Sequence, residues 1–213
     1  EKTLQCIRSL SEGNKQLSFS YVIVDDNSTD GTREALEALK QEGTDLTLLS
    51  GTGSLFWAGG MRRGIAYAKE HTKTDYYLLV NDDVDFRPQV ITEMVGAIQT
   101  GEKPYRNDCV LVGPMCDEAG NFSYGGIRYQ KGIHYDEVKP QDADLSCDSF
   151  NMNCLLMPQE IFRKVPNFDE HYIHSLADFD YGLSMKRLGI PVYVYNFYAG
   201  VCPDNDPKGG WTD

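Results

Sequence analysis

Cationic residues are scarce in this sequence. Lys and Arg number 20 against 32 Asp and Glu, a formal net charge of −12 over 213 residues. So acidic a surface excludes a general nucleic-acid binder, whose affinity comes from cations neutralising phosphates, and it opposes docking on an anionic membrane leaflet. No apolar run approaches the ~18 residues a membrane span requires, and no signal-peptide pattern opens the sequence. No Cys-x-x-Cys pair occurs either. Cys6, Cys109, Cys116, Cys147, Cys154 and Cys202 are widely spaced, which removes the zinc-ribbon and thioredoxin-type readings. Reduced thiols in a cytoplasmic protein are the expectation, with Cys6, Cys109 and Cys154 as small core residues. Repeats and linkers are absent too, so we expect one domain, long enough to bury roughly 70 % of its surface without staples.

What is there is an alternation of helical and strand patterns. Leu4, Ile7 and Leu10 are three apart, as on an amphipathic helix. Residues 19–24 are aromatic and β-branched and stop at an acidic cluster, which predicts a buried strand. A helix follows from about Asp30, capped by Asp30 or Ser28. The pattern continues with a strand at 46–49, a glycine-broken loop at 51–54, a helix at 60–69, a strand at 76–80 and a helix from Pro88 to about Gln99. Such alternation predicts a parallel sheet covered by helices. In the second half we expect strands at 109–112, 150–157 and 192–197, a short helix after Pro158 and a helix at 177–188. Residues 113–134, rich in Gly, Tyr and Asn, read as a mobile, substrate-facing region. A doubly wound sheet normally opens with a strand, yet this sequence opens on a helix, so a first strand is expected to lie outside it.

Two acidic clusters directly follow apolar strands: Asp25-Asp26-Asn27-Ser28 and Asn81-Asp82-Asp83. Ligands of open parallel sheets bind outside the carboxyl ends of the strands, so both clusters point at one crevice. A divalent cation or a network of donors would relieve their mutual repulsion. Oxygen ligands favour Mg²⁺ or Mn²⁺ over zinc. A single Asp in such a place also serves as a turn or helix cap. Asp178 begins the helix at 177–188, where the helix dipole would favour its ionised form and suit it to act as a general base. His174 reads either as a group that tunes that site or touches substrate, or as a surface histidine.

These motifs carry a family resemblance. Val22-Ile23-Val24-Asp25-Asp26-Asn27-Ser28-Thr29-Asp30-Gly31-Thr32 resembles the first nucleotide-binding signature of family 2 glycosyltransferases, which have the GT-A fold. Leu79-Val80-Asn81-Asp82-Asp83-Val84 resembles their Asp-x-Asp metal motif. Phe56-Trp57-Ala58-Gly59-Gly60-Met61-Arg62-Arg63-Gly64-Ile65 is similar to the glycine-rich segment between the two. Asn151 through Pro158 and the stretch from His174 to Arg187 are similar to the acceptor-side strand and the catalytic-base helix.

The resemblance implies a GT-A type α/β fold, a Rossmann-like and mostly parallel sheet flanked by helices. Residues 1–100 would form a nucleotide-sugar-binding half and 101–213 an acceptor-binding and catalytic-base half. By position, Asp25 would bond the nucleotide base with Asp26 in support. Asp82 would face the ribose or metal, and Asp83 would ligate the metal. Trp57 would stack on a sugar or base, and Arg62 and Arg63 would meet the diphosphate. Asp178 would deprotonate the acceptor hydroxyl. It also implies inverting transfer of a hexosyl or deoxyhexosyl group from a nucleotide-diphosphate sugar to a glycan or lipid-linked acceptor. The setting it implies is bacterial surface polysaccharide synthesis, in the cytoplasm or at the inner face of the membrane. The sequence departs from the family at Asn81, which opens the metal motif, at Ala177, where a Glu often stands, and in a tail without histidine. Asp204, Asn205 and Asp206 are candidates to complete the metal site. The alternatives are a donor-binding pseudoenzyme, a nucleotidyltransferase, and a haloacid-dehalogenase-type phosphohydrolase read from Asp83-Val84-Asp85.

Overall fold

Helical spacing at the start of the chain gives helix α1, Lys2–Gly13, which buries Thr3, Cys6, Ile7 and Leu10. The computed structural model describes residues 1–131, 134–173 and 175–203. Two apolar strands, β1 (Tyr21–Asp25) and β2 (Leu46–Ser50), pair in parallel with Asp25 opposite Ser50, and helix α2 (Thr32–Gln41) connects them. Asp30 Oδ1 accepts the Thr32 N–H at 3.1 Å, but Gly31, in the left-handed region at φ 85°, is the N-cap residue. Helix α3, Phe56–His71, begins four residues before the expected Gly60. Its start is set by a carboxylate distant in sequence, as described below.

The main sheet contains β3 (Tyr76–Val80), β5 (Val110–Val112), β11 (Cys154–Pro158) and β12 (Val192–Val194) in the order β12-β5-β11-β3. Strand β11 runs antiparallel between β3 and β5, pairing Cys154 with Val80 and Leu155 with Val112, while β12 is parallel to β5. The sheets are therefore mixed. Cys154, Leu155, Leu156 and Met157 are all buried, as a strand covered on both faces requires. This pairing puts the carboxyl ends of β3 and β5 beside the start of β11. Among the described residues β1 pairs only with β2, and β3 only with β11. Helix α1 spans the two sheets, with Cys6 and Leu10 in the main core and Ile7 in a small one beside Leu36 and Leu46.

Residues 113–131, in the stretch read as mobile and substrate-facing, contain three short strands. β4 (Asp85–Phe86), β13 (Gly200–Val201), β6 (Met115–Cys116) and β7 (Phe122–Tyr124) form one sheet. β10 (Ser149–Phe150), β8 (Gly126–Tyr129) and β9 (Tyr135–Val138) form another. Buried Met115, Ser123 and Ile127 give these short strands an inner face, which the density of Gly and Tyr hides in the sequence. The expected strand at 150–157 is broken at 151–153, a break that matters for the site. Helices α4 (Val90–Thr100), α5 (Gln159–Lys164) and α6 (Ala177–Arg187) complete the fold. Helix α6 lies close on β10: a Cβ at Gly182 would stand 2.5 Å from Ser149 Oγ and 2.7 Å from its Cα. The six cysteines are free, and Cys6, Cys109, Cys154 and Cys202 are buried. No described helix is long and apolar enough to cross a membrane.

Candidate active site

Asp25, the last residue of β1, is buried, and its carboxylate accepts the Ser28 N–H at 3.0 Å and Arg33 Nη1 at 3.0 Å. Burial pushes this carboxyl up, but the hydrogen bonds from Ser28 and Arg33 outweigh it and hold the group below the usual carboxylate range. Asp26 turns to the next loop. It accepts the N–H groups of Gly53 at 2.7 Å, Leu55 at 2.7 Å and Phe56 at 3.2 Å. The Leu55 and Phe56 donors would otherwise be orphans at the start of α3, so Asp26 caps that helix across a gap of about thirty residues while also holding the loop at Gly53. The fit requires Gly51, where a Cβ would lie 2.3 Å from Asp26 Oδ1. Here too the donors outweigh burial, and the Asp26 carboxyl is lowered.

Helix α3 carries this anchoring across to the second cluster. Trp57, in its first turn, is half-buried and donates from Nε1 to Asn81 Oδ1 at 2.8 Å. Its ring lies 5.7 Å from that of Phe168, which in turn meets Tyr181 of α6 edge-on at 4.8 Å. Asp82 is exposed and accepts from Thr3 Oγ1 of α1 at 2.5 Å. Asp83 lies 3.7 Å from Cys202 Sγ, and Asn153 Nδ2 donates to the same sulfur at 3.3 Å. The backbone N–H of Asn81 donates to the carbonyl of Asn153 at 3.3 Å.

The 151–153 break in the strand reaches the third cluster as well. Asp178, in the first turn of α6, accepts the N–H of Met152 at 3.3 Å and of Phe179 at 2.9 Å. Burial raises its carboxyl to about 6, although those two backbone donors pull the other way. The expected effect of the helix dipole is thus overridden, because the charge loses more from the water it gives up than it gains from the helix end.

The remaining candidates divide. Arg62 Nη1 donates to the carbonyls of Asp169 at 2.9 Å and Tyr172 at 3.3 Å, and Asn167 donates to the Arg62 carbonyl at 2.8 Å. Arg62 therefore clamps the segment leading into α6, while Arg63 is exposed. His174, Asp204, Asn205 and Asp206 lie outside the described residues. Sequence reasoning assigned no role to Thr3 and Cys202, which carry no motif, or to Asn153, which lies inside the acceptor-side motif, because all three act through tertiary contact. It also missed the rim formed by Phe56, Ile173 and Leu176, each at least half exposed, with Phe56 and Leu176 at φ 52° and 67°. The Ile173 carbonyl accepts the Ala58 N–H at 3.3 Å, which joins the two sides of that rim.

Among the described residues no three His, Cys, Asp or Glu side chains are grouped to hold a metal by themselves. Mg²⁺ is commonly bound by one or two carboxylates with substrate phosphates completing its shell, and the oxygen donors of Asp82 and Asp83 fit that mode. A groove of about 800 Å³ lined by Gln99, Lys103, Arg106 and Tyr193 lies elsewhere, toward the opposite end of β5.

The profile described as Glycosyl transferase family 2 matches residues 1–158, a stretch that holds Asp25, Asp26, Trp57, Asp82 and Asp83 and ends before Asp178. Among solved structures, TarS 1-349 from S. aureus is similar with a TM-score of 0.64 at 15% identity, over 94% of this chain and 56% of that one. The mannosyltransferase PcManGT from Pyrobaculum calidifontis, in complex with GDP-Man and Mn²⁺, gives 0.59 at 15% identity, over 98% and 55%. A nucleoside-diphosphate-sugar pyrophosphorylase from Vibrio cholerae gives 0.56 at 10% identity, over 91% and 78%. At such identities the likeness is one of fold, the GT-A type of mixed α/β sheet flanked by helices. This chain spans a little over half the length of the first two structures. No curated protein matches the sequence.

Proposed function

This chain belongs to glycosyl transferase family 2, and from that premise we propose that it moves a sugar from a nucleoside-diphosphate sugar to an acceptor hydroxyl with inversion, Asp178 acting as general base. The observation that carries this reading is the segment Met152–Asn153. Its first residue bonds the Asp178 carboxylate, and its second bonds Cys202, which lies against Asp83. A proton acceptor and the acidic end of β3 are thereby tied to one short piece of chain, as a reaction joining acceptor and diphosphate requires.

In this proposal Asp178 takes the acceptor proton while the freed oxygen bonds to the anomeric carbon and the bond to the diphosphate breaks on the opposite face. A carboxyl raised to about 6 is matched to proton transfer near neutral pH. Asp25 binds the nucleotide base, and Asp26 supports it by holding residues 53–56 in place. Trp57 flanks the sugar and keeps Asn81 fixed. Arg63 is free to meet the diphosphate, whereas Arg62 holds the segment before α6. Asp82 and Asp83 would hold Mg²⁺ or Mn²⁺, whose chemistry is neutralisation of charge on the departing diphosphate. A glycan or lipid-linked saccharide as acceptor, a hexosyl or deoxyhexosyl group as cargo and a role in bacterial surface polysaccharide assembly belong to the same proposal.

The likeness to a pyrophosphorylase favours a second reading, nucleotidyl transfer. Calorimetry with a panel of nucleotide sugars, with and without Mn²⁺, followed by product analysis separates the two. From a nucleotide sugar and an acceptor, glycosyl transfer releases a nucleoside diphosphate, whereas nucleotidyl transfer needs a nucleoside triphosphate and a sugar 1-phosphate, supplied in a parallel assay, and releases pyrophosphate. Asp178→Asn should abolish the first while leaving donor binding nearly intact. Wild-type turnover in that variant overturns the assignment of the base.

A further inference from the structure

We propose that Cys202 is a positioning residue for Asp83, its S–H holding one carboxylate oxygen so that the other faces the diphosphate end of β3. The inference rests on the reading of Asp83 as a metal ligand and extends it to a thiol that no motif marks. Cys202 directly follows β13 and is 2 % exposed. Its N–H donates to the Cys116 carbonyl at 2.9 Å, and its own carbonyl accepts Ser123 Oγ at 2.8 Å, so the residue is pinned from both sides. The sulfur then has two partners of fixed polarity. The amide nitrogen of Asn153, 3.3 Å away, can only donate, so the sulfur accepts there. The carboxylate of Asp83, with Oδ1 at 3.7 Å, can only accept, so the S–H proton lies between sulfur and oxygen. Thiols are weak donors in water, but Cys202 is buried and Asp83 half-buried, so solvent reaches the bond only from the carboxylate side. Asn153 is itself 5 % exposed, and its carbonyl receives Asn81, two residues before Asp83. The relay from Asn153 through Cys202 thus closes on the same acidic turn it orients.

Two measurements on the full chain test this. In the infrared, the S–H stretching band isolated as wild type minus Cys202→Ser should move to higher frequency in Asp83→Asn. An unmoved band in a folded variant means that no such hydrogen bond exists, and the inference fails. Titration with Mn²⁺ in the presence of a nucleoside diphosphate, whose phosphates complete the metal's shell, followed by electron paramagnetic resonance, should show Cys202→Ala binding about 10- to 100-fold more weakly, the usual loss for an outer-shell partner. Cys202→Ser, whose hydroxyl keeps both roles, should bind within a factor of a few of wild type. Equal Mn²⁺ affinity in wild type and Cys202→Ala overturns the positioning role. A shifted infrared band with no Mn²⁺ uptake even by wild type would retain the bond yet remove the metal from Asp83, which overturns the inference through its premise. A sulfur-to-metal charge-transfer band with Co²⁺, absent in Cys202→Ser, would make the sulfur a direct ligand and overturn it by another route.

Discussion

Trp57 and Asn81, 24 residues apart, are joined by a 2.8 Å hydrogen bond from the indole nitrogen to the side-chain oxygen. It couples the helix capped by Asp26 to the acidic turn after β3, so the two carboxylate clusters are held in one frame. Trp57→Phe keeps a ring against Phe168 but leaves Asn81 Oδ1 without its donor. We expect a loss of about 1–2 kcal/mol in urea unfolding, together with weaker nucleotide-sugar binding by calorimetry. A variant as stable and as tightly binding as wild type would show that the bond does not matter.

Asp178 gives opposite effects on stability and activity. Its carboxyl, ordinarily near 4, is raised to about 6 by burial. Between those values the folded chain binds more protons than the unfolded one, so stability falls as pH rises through that window and stays low above it. Asp178→Asn, which cannot ionise, should be more stable than wild type at pH 7–8, by about 3 kcal/mol at most, and the gain should vanish near pH 4. Denaturation at a series of pH values reads this directly.

If Asp178 is the base, kcat/KM should fall on the acid side with an apparent pKa near 6. A rate that is flat from pH 5 to 8 would remove it from that role.

Asp25 has the reverse linkage. Although burial works against it, bonds from Ser28 and Arg33 hold its carboxyl low. Its stabilisation is present above the ordinary carboxylate value near 4 and is lost as pH falls through the lowered one. The stability difference between wild type and Asp25→Asn should therefore be largest near neutrality and shrink in acid.

Leu176 caps α6 at φ 67° with its side chain 56 % exposed, a conformation that costs an L-residue about 1–2 kcal/mol. Leu176→Gly removes that strain and adds unfolded-state entropy of about 0.5–1 kcal/mol. A net gain of roughly 0.5–1 kcal/mol follows, visible as a higher melting temperature. A loss would mean that the leucine side chain makes a contact worth more than the strain.

Local order was legible from the residue pattern alone. The β3 strand at 76–80 emerges with the bounds its apolar run gives, α4 and α6 follow their periodicity to within two residues, and α1 runs three residues past Leu10. Placement of acidic residues at strand ends was legible too, because an apolar strand that stops at carboxylates leaves them at the sheet's edge. Sequence periodicity reports which face of an element is buried, and that is a property of neighbours along the chain. The four-residue advance of α3, the antiparallel insertion of β11, the raised carboxyl of Asp178 and the contact of Cys202 with Asp83 belong to the tertiary structure alone. Each depends on groups distant in sequence that meet only when the sheets assemble, where lost solvent and newly supplied donors decide the balance. Asp26 shows the division most plainly: its sequence neighbours suggest a ligand site, and folding gives it a helix to cap.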